Sequence, residues 1–347
     1  MIKEKDKTLF DFIKLVSPGM PLRTVINDLV RSGLGAMIIF DSPELNSQNI
    51  SEGGFRINSR FTPQKLFELC KMDGAIILSS NLKRILTANT LINADPSIHT
   101  NETGTRHKAS ERAAKQANTF IITVSEKRNK TTLYYGSSKY FLKTSEELLR
   151  NISSTLQVLE KQREMFDEHI NNLNILEMSG LVSVSDVCKV IQRAEMILII
   201  SESVKKNFTE LGKDGKIMQI RYKELIRGVE KYENEILRDY SRLSLKKSRN
   251  LLKNLALDGF LETESTARLI LEGPLEDSIS PKGYRFLSLL NLSENEISNI
   301  VSNFKDIDEI LLVDSSKLES ILKNRASPIK KDILNLREQV LSGKAVF

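Results

Sequence analysis

The sequence is poor in the residues that build covalent or metal frameworks: 347 residues include two cysteines, Cys70 and Cys188, and three histidines. The cysteines lie far apart, without CxxC spacing or a neighbouring histidine, which excludes a disulfide scaffold and a cysteine-ligated zinc site. Both are expected as buried apolar positions, because an unpaired thiol packs as a small hydrophobe. No segment approaches the roughly 18 uncharged apolar residues of a membrane span. Lys3, Glu4, Lys5, Asp6 and Lys7 break up the N-terminus, so a cytoplasmic location with no membrane partner is expected. Fixed-period repeats and low-complexity tracts are also missing. Nor is there a large excess of charge: 51 Lys and Arg against 45 Asp and Glu leave +6, which permits polyanionic partners without identifying one.

What is present changes period along the chain, and the length exceeds one ordinary core. Three domains are expected, at 1–145, 146–285 and 286–347. In the first, Gly35–Phe40, Gly74–Leu78 and Phe120–Val124 are short Ile-rich runs that read as buried strands. Thr131–Tyr135 reads as a hairpin strand, and Thr62 with Pro63 as the cap and first turn of a helix. A mixed α/β domain follows, a central sheet with flanking helices. From residue 146 the strand signal gives way to apolar seams: Leu149 to Leu173, Val187 to Leu211 with Gly212 as cap, and Met218 to Ile236. Three long helices are predicted, the first two about 40 Å each, packed as an all-α spine that can also serve as an oligomer contact. Leu243–Gly283 is the least periodic stretch and is expected to hold a loop or hinge. After residue 286 the helices shorten. Ser293 and Glu296 form a capping box with a Leu292–Ile297 staple, Asp314 or Ser315 opens a second helix, and Pro328 stands near the start of a last one.

Two short elements carry the chemistry. Asp73 directly precedes the Gly74 strand, where glycine lets a ligand approach the backbone and the carboxylate can hold a divalent cation; a plain Asp-Gly turn is the alternative. Thr103–Lys108 precedes an alanine-rich helix whose Ala109, Ala113 and Ala117 mark one close-packing face. Arg106, His107 and Lys108 therefore crowd a helix N-terminus, where cations oppose the dipole unless an anion is bound. A phosphate site explains this better than a solvated basic turn. His107 taken alone also fits a structural histidine, and His99 and His169 have no expected chemical role. Gly212–Lys216 lacks Walker spacing and Gly53–Phe55 is no dinucleotide fingerprint. The residues by themselves give a phosphate-binding α/β domain.

Together, Asp73-Gly74-Ala75 and Gly104-Thr105-Arg106-His107, about thirty residues apart, resemble the diadenylate cyclase domain. Gly53-Gly54-Phe55, Lys71-Met72, Ala88-Asn89 and Arg128-Asn129 match as well. The order of cyclase domain, helical spine and small helix-hairpin-helix-like domain is similar to the bacterial DNA-integrity scanning family over nearly the whole chain. The resemblance implies condensation of two ATP into cyclic di-AMP and two pyrophosphates between facing subunits of an octamer of opposed tetramers. By the same resemblance Asp73 binds Mg²⁺ or Mn²⁺ and helps activate the 3′ hydroxyl. Arg106, His107, Gly104, Thr105, Lys108 and Ser125 contact phosphates, Gly74 and Ala75 border the nucleotide, and Ile92 packs on adenine. Lys108 replaces a usual arginine, keeping charge but losing the bidentate fork, and Ala109 replaces a usual threonine. The family's Gly-hydrophobic-Gly hairpin is missing, since no glycine lies between Gly283 and Gly343. The matching stretch, Leu322–Pro328, keeps Lys323 and Arg325, with Lys330 and Lys331 beyond, but is not expected to form the tight turn. DNA binding is therefore expected to be weak and salt-dependent. A DNA-structure scaffold with a regulatory or inactive nucleotide site is the second reading, and a helical scaffold with an unrelated α/β head the third.

Overall fold

A computed structural model describes residues 9–255 and 263–343. Two compact units are present: residues 1–152 with 205–219, and 153–204 with 220–347. The first is built on strands β1 (Ala36–Phe40), β2 (Ser51–Glu52), β3 (Phe55–Arg60), β4 (Ala75–Leu78), β5 (Arg84–Ile92), β6 (Phe120–Ser125), β7 (Lys130–Tyr135) and β8 (Ser138–Leu142). Spatial order is β2-β5-β4-β1-β6-β7-β8, with β3 also on β5. Among the described residues only β1 and β4 run parallel, Ile38 facing Ile76; β1 meets β6 antiparallel with Ile38 opposite Ile122.

Every residue of β1 is buried, and the two-residue alternation of a strand sends its side chains into two cores. On one face Ala36, Ile38 and Phe40 join Ile76, Leu78, Ile122 and Val124. Covering them are Phe12 and Ile13 of α1 (Leu9–Leu15), Leu22, Val25, Ile26 and Leu29 of α2 (Pro21–Arg31) and Leu66 of α4 (Pro63–Leu69), while α3 (Pro43–Ser47) places Leu45 in the opposite core. On the other face Met37, Ile39, Ala75, Ile77, Ile121 and Tyr134 pack with Ala113, Ala114 and Ala117 of α5 (Thr105–Ala117). The mixed sheet with flanking helices is the expected fold class. Thr62 caps α4, its Oγ1 accepting from Lys65 N at 3.3 Å. Cys70 is buried at the α4 end and Cys188 in the second unit, and burial pushes both thiols up to about 12. Among the described residues no helix is long and apolar enough to cross a membrane.

The first two seams are the single helices α6 (Ser145–Ser179) and α7 (Val184–Leu211). The third differs from the expectation of one long helix. It is split into α8 (Lys216–Ile226) and α9 (Val229–Tyr240) at Gly228, whose φ of 79° leaves helical space. Arg163 Nη1 takes up the carbonyls exposed by that break, donating to Leu225 O at 3.1 Å and Arg227 O at 2.7 Å. The loop or hinge expected within 243–283 includes residues 256–262, outside the described residues; before them Leu245–Asn254 is helical. Ser293 and Glu296 form the expected capping box of the helix Glu294–Asn303, and Asp314 precedes the helix Ser315–Leu322. One expectation is corrected: a tight connection does form without glycine. Lys323 takes φ 50° and ψ −127°, and one 3₁₀ turn leads into the helix Ala326–Leu341. This backbone region suits glycine, and holding a lysine in such a conformation costs on the order of 1–3 kcal/mol.

The second unit also buries charge. Asp239 accepts three backbone N–H bonds, from Gly283 at 2.8 Å, Tyr284 at 2.6 Å and Arg285 at 2.9 Å, while Arg285 pairs with Glu177. Glu233, fully buried, faces a second carboxylate, Glu195, with the Arg249 guanidinium 3.6 Å away. Burial, and then the like charge of Glu195, push the Glu233 carboxyl far above its usual range. A proton retained by the folded state and lost by the unfolded one makes stability fall as pH rises above the ordinary glutamate value. Glu233→Gln should therefore raise the melting temperature in mildly alkaline buffer, with the gain shrinking toward acid pH. Thermal unfolding across pH checks this, and a lower melting temperature in alkaline buffer would contradict it.

Candidate active site

The N-terminus of α5 is the origin of the site. Gly104 is its N-cap in extended conformation (φ −86°, ψ 142°), no side chain caps the first turn, and no acidic residue lies in that turn. Lys108 N already bonds to Gly104 O at 2.9 Å, so the N–H groups before it are the donors that a helix start leaves for an anion. Loop 93–104 is laced to α5 by that helix's own side chains. Gln116 accepts from Asp95 N at 2.9 Å, Arg112 Nε donates to Ile98 O at 2.9 Å, and Lys115 Nζ donates to His99 O at 2.8 Å. Helix and sheet are pinned together by Thr123 Oγ1 donating to Ser110 Oγ at 2.7 Å, and Ser110 Oγ donating to Arg106 O at 2.8 Å.

A cleft of about 740 Å³ opens in front of this helix end. Gly74 and Ala75 at the start of β4, Ile92 at the end of β5, Gly104, Thr105, Arg106 and His107 of α5, and Ser125 at the end of β6 all line it. Asp73 and Lys108 are not among the lining residues; both are exposed and next to residues that are. Two glycines shape the cleft. A Cβ on Gly74, whose φ is 82°, would meet the Asn89–Thr90 backbone at 2.9–3.0 Å, so β5 can cross only above a glycine. A Cβ on Gly35 would fall 2.0 Å from Arg106 Nη1, so the Arg106 guanidinium lies directly on the Gly35 backbone. Ser125 Oγ accepts from Arg128 N at 3.3 Å and closes the β6–β7 turn, which adds Lys127 and Arg128 to the lining.

Sequence reasoning missed Met37, Thr90, Leu91, Glu102 and Tyr134. Tyr134, 1% exposed, sits on the strand recognised as a hairpin strand, where its ring reads as core. Its hydroxyl donates to Glu102 Oε1 at 2.7 Å and lies 2.9 Å from His107 Nδ1. Glu102 also pairs with Lys139. Burial works against charge on Glu102, but the bonds from Lys139 and Tyr134 outweigh it and hold the carboxyl below its usual range. His107 is pushed down from its ordinary value, first by burial, with Glu102 opposing and Lys139, Arg128 and Arg106 assisting.

Among the described residues no three His, Cys, Asp or Glu side chains gather into a metal cage. A hard divalent cation of the kind that accompanies nucleotides needs only one or two carboxylates plus substrate phosphates. Asp73 offers one such carboxylate, one residue before the cleft lining.

Known proteins resemble this chain over nearly its whole length. Residues 23–139 match the family described as DisA bacterial checkpoint controller nucleotide-binding, and 142–271 match the DisA bacterial checkpoint controller linker region. A DNA integrity scanning protein DisA from Clostridium botulinum (strain Loch Maree) is 37% identical over 351 residues, covering 98% of this chain and 99% of that protein. The protein of that name from Clostridium kluyveri is 38% identical over 347 residues, 97% of this chain and 98% of the other. Among solved structures, a double mutant of DacA from Staphylococcus aureus superposes with TM-score 0.31 at 20% identity, over 39% of this chain and 91% of that one. The chain belongs to the DNA integrity scanning protein family, and the domain that holds the cleft is that family's diadenylate cyclase domain.

Proposed function

We propose that each copy of the chain holds one ATP in this cleft and that two copies, cleft to cleft, join their nucleotides into cyclic di-AMP with release of two pyrophosphates. One observation carries this reading: the uncapped start of α5, Arg106 laid on Gly35 and the Ser125–Arg128 turn all converge on one cleft. The cleft offers one helix N-terminus, hence one triphosphate site, while the reaction consumes two ATP. Leu91 lines the cleft and is 59% exposed, an apolar surface that a facing copy would cover. An octamer of two opposed tetramers is the assembly we favour, acting in the cytoplasm.

In the reaction the ribose 3′ oxygen of one nucleotide attacks the α-phosphorus of the other. A P–O bond forms, the bond to pyrophosphate breaks with its electron pair leaving on pyrophosphate, and the hydroxyl proton passes to solvent water; the exchange happens twice. No covalent nucleophile is needed, because positioning and charge stabilisation dominate such transfers. The α5 amides at Gly104 and Thr105, with Arg106, His107, Lys108 and Ser125, bind and neutralise phosphate; Ile92 packs on adenine beside Gly74 and Ala75. Asp73 would hold Mg²⁺ or Mn²⁺, which when bound lowers the energy of an alkoxide next to a phosphoryl group.

For the C-terminal residues 286–347 we infer weak, charge-driven contact with DNA phosphates that modulates the cyclase. Arg325 contributes little, since its guanidinium is engaged by Glu296 Oε1 and Asn291 O, each at 2.6 Å. Lys323 and Lys331 are exposed.

Two outcomes test these readings. Asp73→Asn should keep the fold and lower cyclic di-AMP formation from ATP by on the order of a hundredfold or more, followed by chromatography and mass; full activity removes the metal assignment. Lys323→Gly should raise the melting temperature by relieving φ strain. It should also weaken DNA binding and flatten its salt dependence by about one unit of slope. Titration of labelled duplex across salt reads the effect, and unchanged binding would mean that Lys323 touches no phosphate.

A further inference from the structure

At the wall of the cleft, a row of side chains runs from Glu102 to His107. The Glu102 carboxylate pairs with the Lys139 ammonium and accepts the Tyr134 hydroxyl at 2.7 Å; the same Tyr134 oxygen lies 2.9 Å from His107 Nδ1. A hydroxyl has one proton to give, and an ionised carboxylate has none. If the tyrosine donated to His107 instead, two lone-pair-bearing oxygens would face each other at 2.7 Å with no proton between them. The tyrosine proton therefore belongs to Glu102, and the contact at Nδ1 is a hydrogen bond only if the imidazole donates it. Neutral His107 carries its proton on Nδ1 and a lone pair on Nε2, on a ring that lines the cleft. Among the described residues no hydrogen bond engages Nε2.

This has a chemical consequence for an anionic ligand. Phosphate oxygens accept hydrogen bonds and do not donate them, so a lone pair on Nε2 repels them. Rotating the proton from Nδ1 to Nε2 would solve the conflict only by breaking the bond to Tyr134. The remaining route is a second proton on the ring, which makes both nitrogens donors. In the free protein that proton is opposed by burial and by Lys139, Arg128 and Arg106, and favoured by Glu102. A triphosphate entering the same cleft adds several negative charges and reverses the balance.

We propose that Glu102 and Tyr134 are positioning residues that lock His107 in its Nδ1–H form, so that a nucleoside triphosphate binds with uptake of one proton on Nε2. The proposal rests on the reading that this cleft takes ATP. It makes ATP affinity rise as pH falls through the histidine range, and it gives His107 a role distinct from those of Arg106 and Lys108.

The test is calorimetry on the full chain with 3′-deoxy-ATP and excess Mg²⁺, near neutral pH, in two buffers of unlike ionisation enthalpy. Lacking the attacking oxygen, this analogue binds without reacting. Wild type should take up more than about half a proton per nucleotide, and His107→Gln should take up none. Tyr134→Phe frees the tautomer, so uptake should fall by more than about half and affinity should become less pH-dependent. Because Tyr134 is buried, Glu102→Gln is the second variant; it should lower uptake by removing the charge that favours the imidazolium. A merely structural role would weaken binding equally at every pH and leave the proton count unchanged, which would overturn the proposal. Binding by wild type without uptake, or uptake persisting in His107→Gln, would overturn it too while leaving the nucleotide reading standing. No binding by wild type would overturn both.

Discussion

The close packing of α5 on the sheet is the constraint on which the site depends. Ala113, Ala114 and Ala117 have no exposed surface and sit against Met37, Ile39 and Ile121. Methyl groups in that layer let the helix axis approach β6 and β7 as no larger side chain would. The approach fixes where the helix begins, and so where unpaired N–H groups meet the cleft. Everything in front of the helix is then tied to it: loop 93–104 by the Arg112, Lys115 and Gln116 side chains, and Arg106 by its seat on Gly35.

The same placement explains the electrostatics. A helix start with Arg106, His107 and Lys108 and no acid in its first turn is unfavourable until an anion arrives. Glu102, in the cleft lining, offsets part of that excess positive charge at His107 while it is held by Lys139 and Tyr134. A cleft organised in this way stores binding energy for a polyanion. Leu91, in the cleft lining, adds exposed apolar surface beside it.

Parts of this were legible in the sequence because their signals are local. Strands β1, β4 and β6 are short Ile-rich runs, α5 has its alanine spacing, and the capping box of Ser293 and Glu296 is contiguous. Strands β3 and β5 were not legible: polar Arg56, Asn58, Thr87 and Asn89 interrupt them, and their pairing is broken by register shifts that propensity does not encode. The split between α8 and α9 escaped notice because the apolar seam continues across Gly228, while the break is stabilised by Arg163, far away in sequence. The Glu102–Tyr134 bond joins residues 32 positions apart, and nothing about a tyrosine in a strand announces that its hydroxyl has a partner. Lys323 shows the opposite limit. The missing glycine was read correctly, but the fold imposes the positive φ anyway.

The central claim is that phosphates bind at the uncapped start of α5. The most direct measurement is an experimental structure of the assembled protein with 3′-deoxy-ATP and Mg²⁺. The phosphates are expected against the backbone N–H groups of the first α5 turn and the Arg106 guanidinium, with adenine near Ile92 and a second copy facing across. Phosphates bound away from α5, for instance beside the Lys83 and Arg84 cleft at the far end of β5, would contradict it.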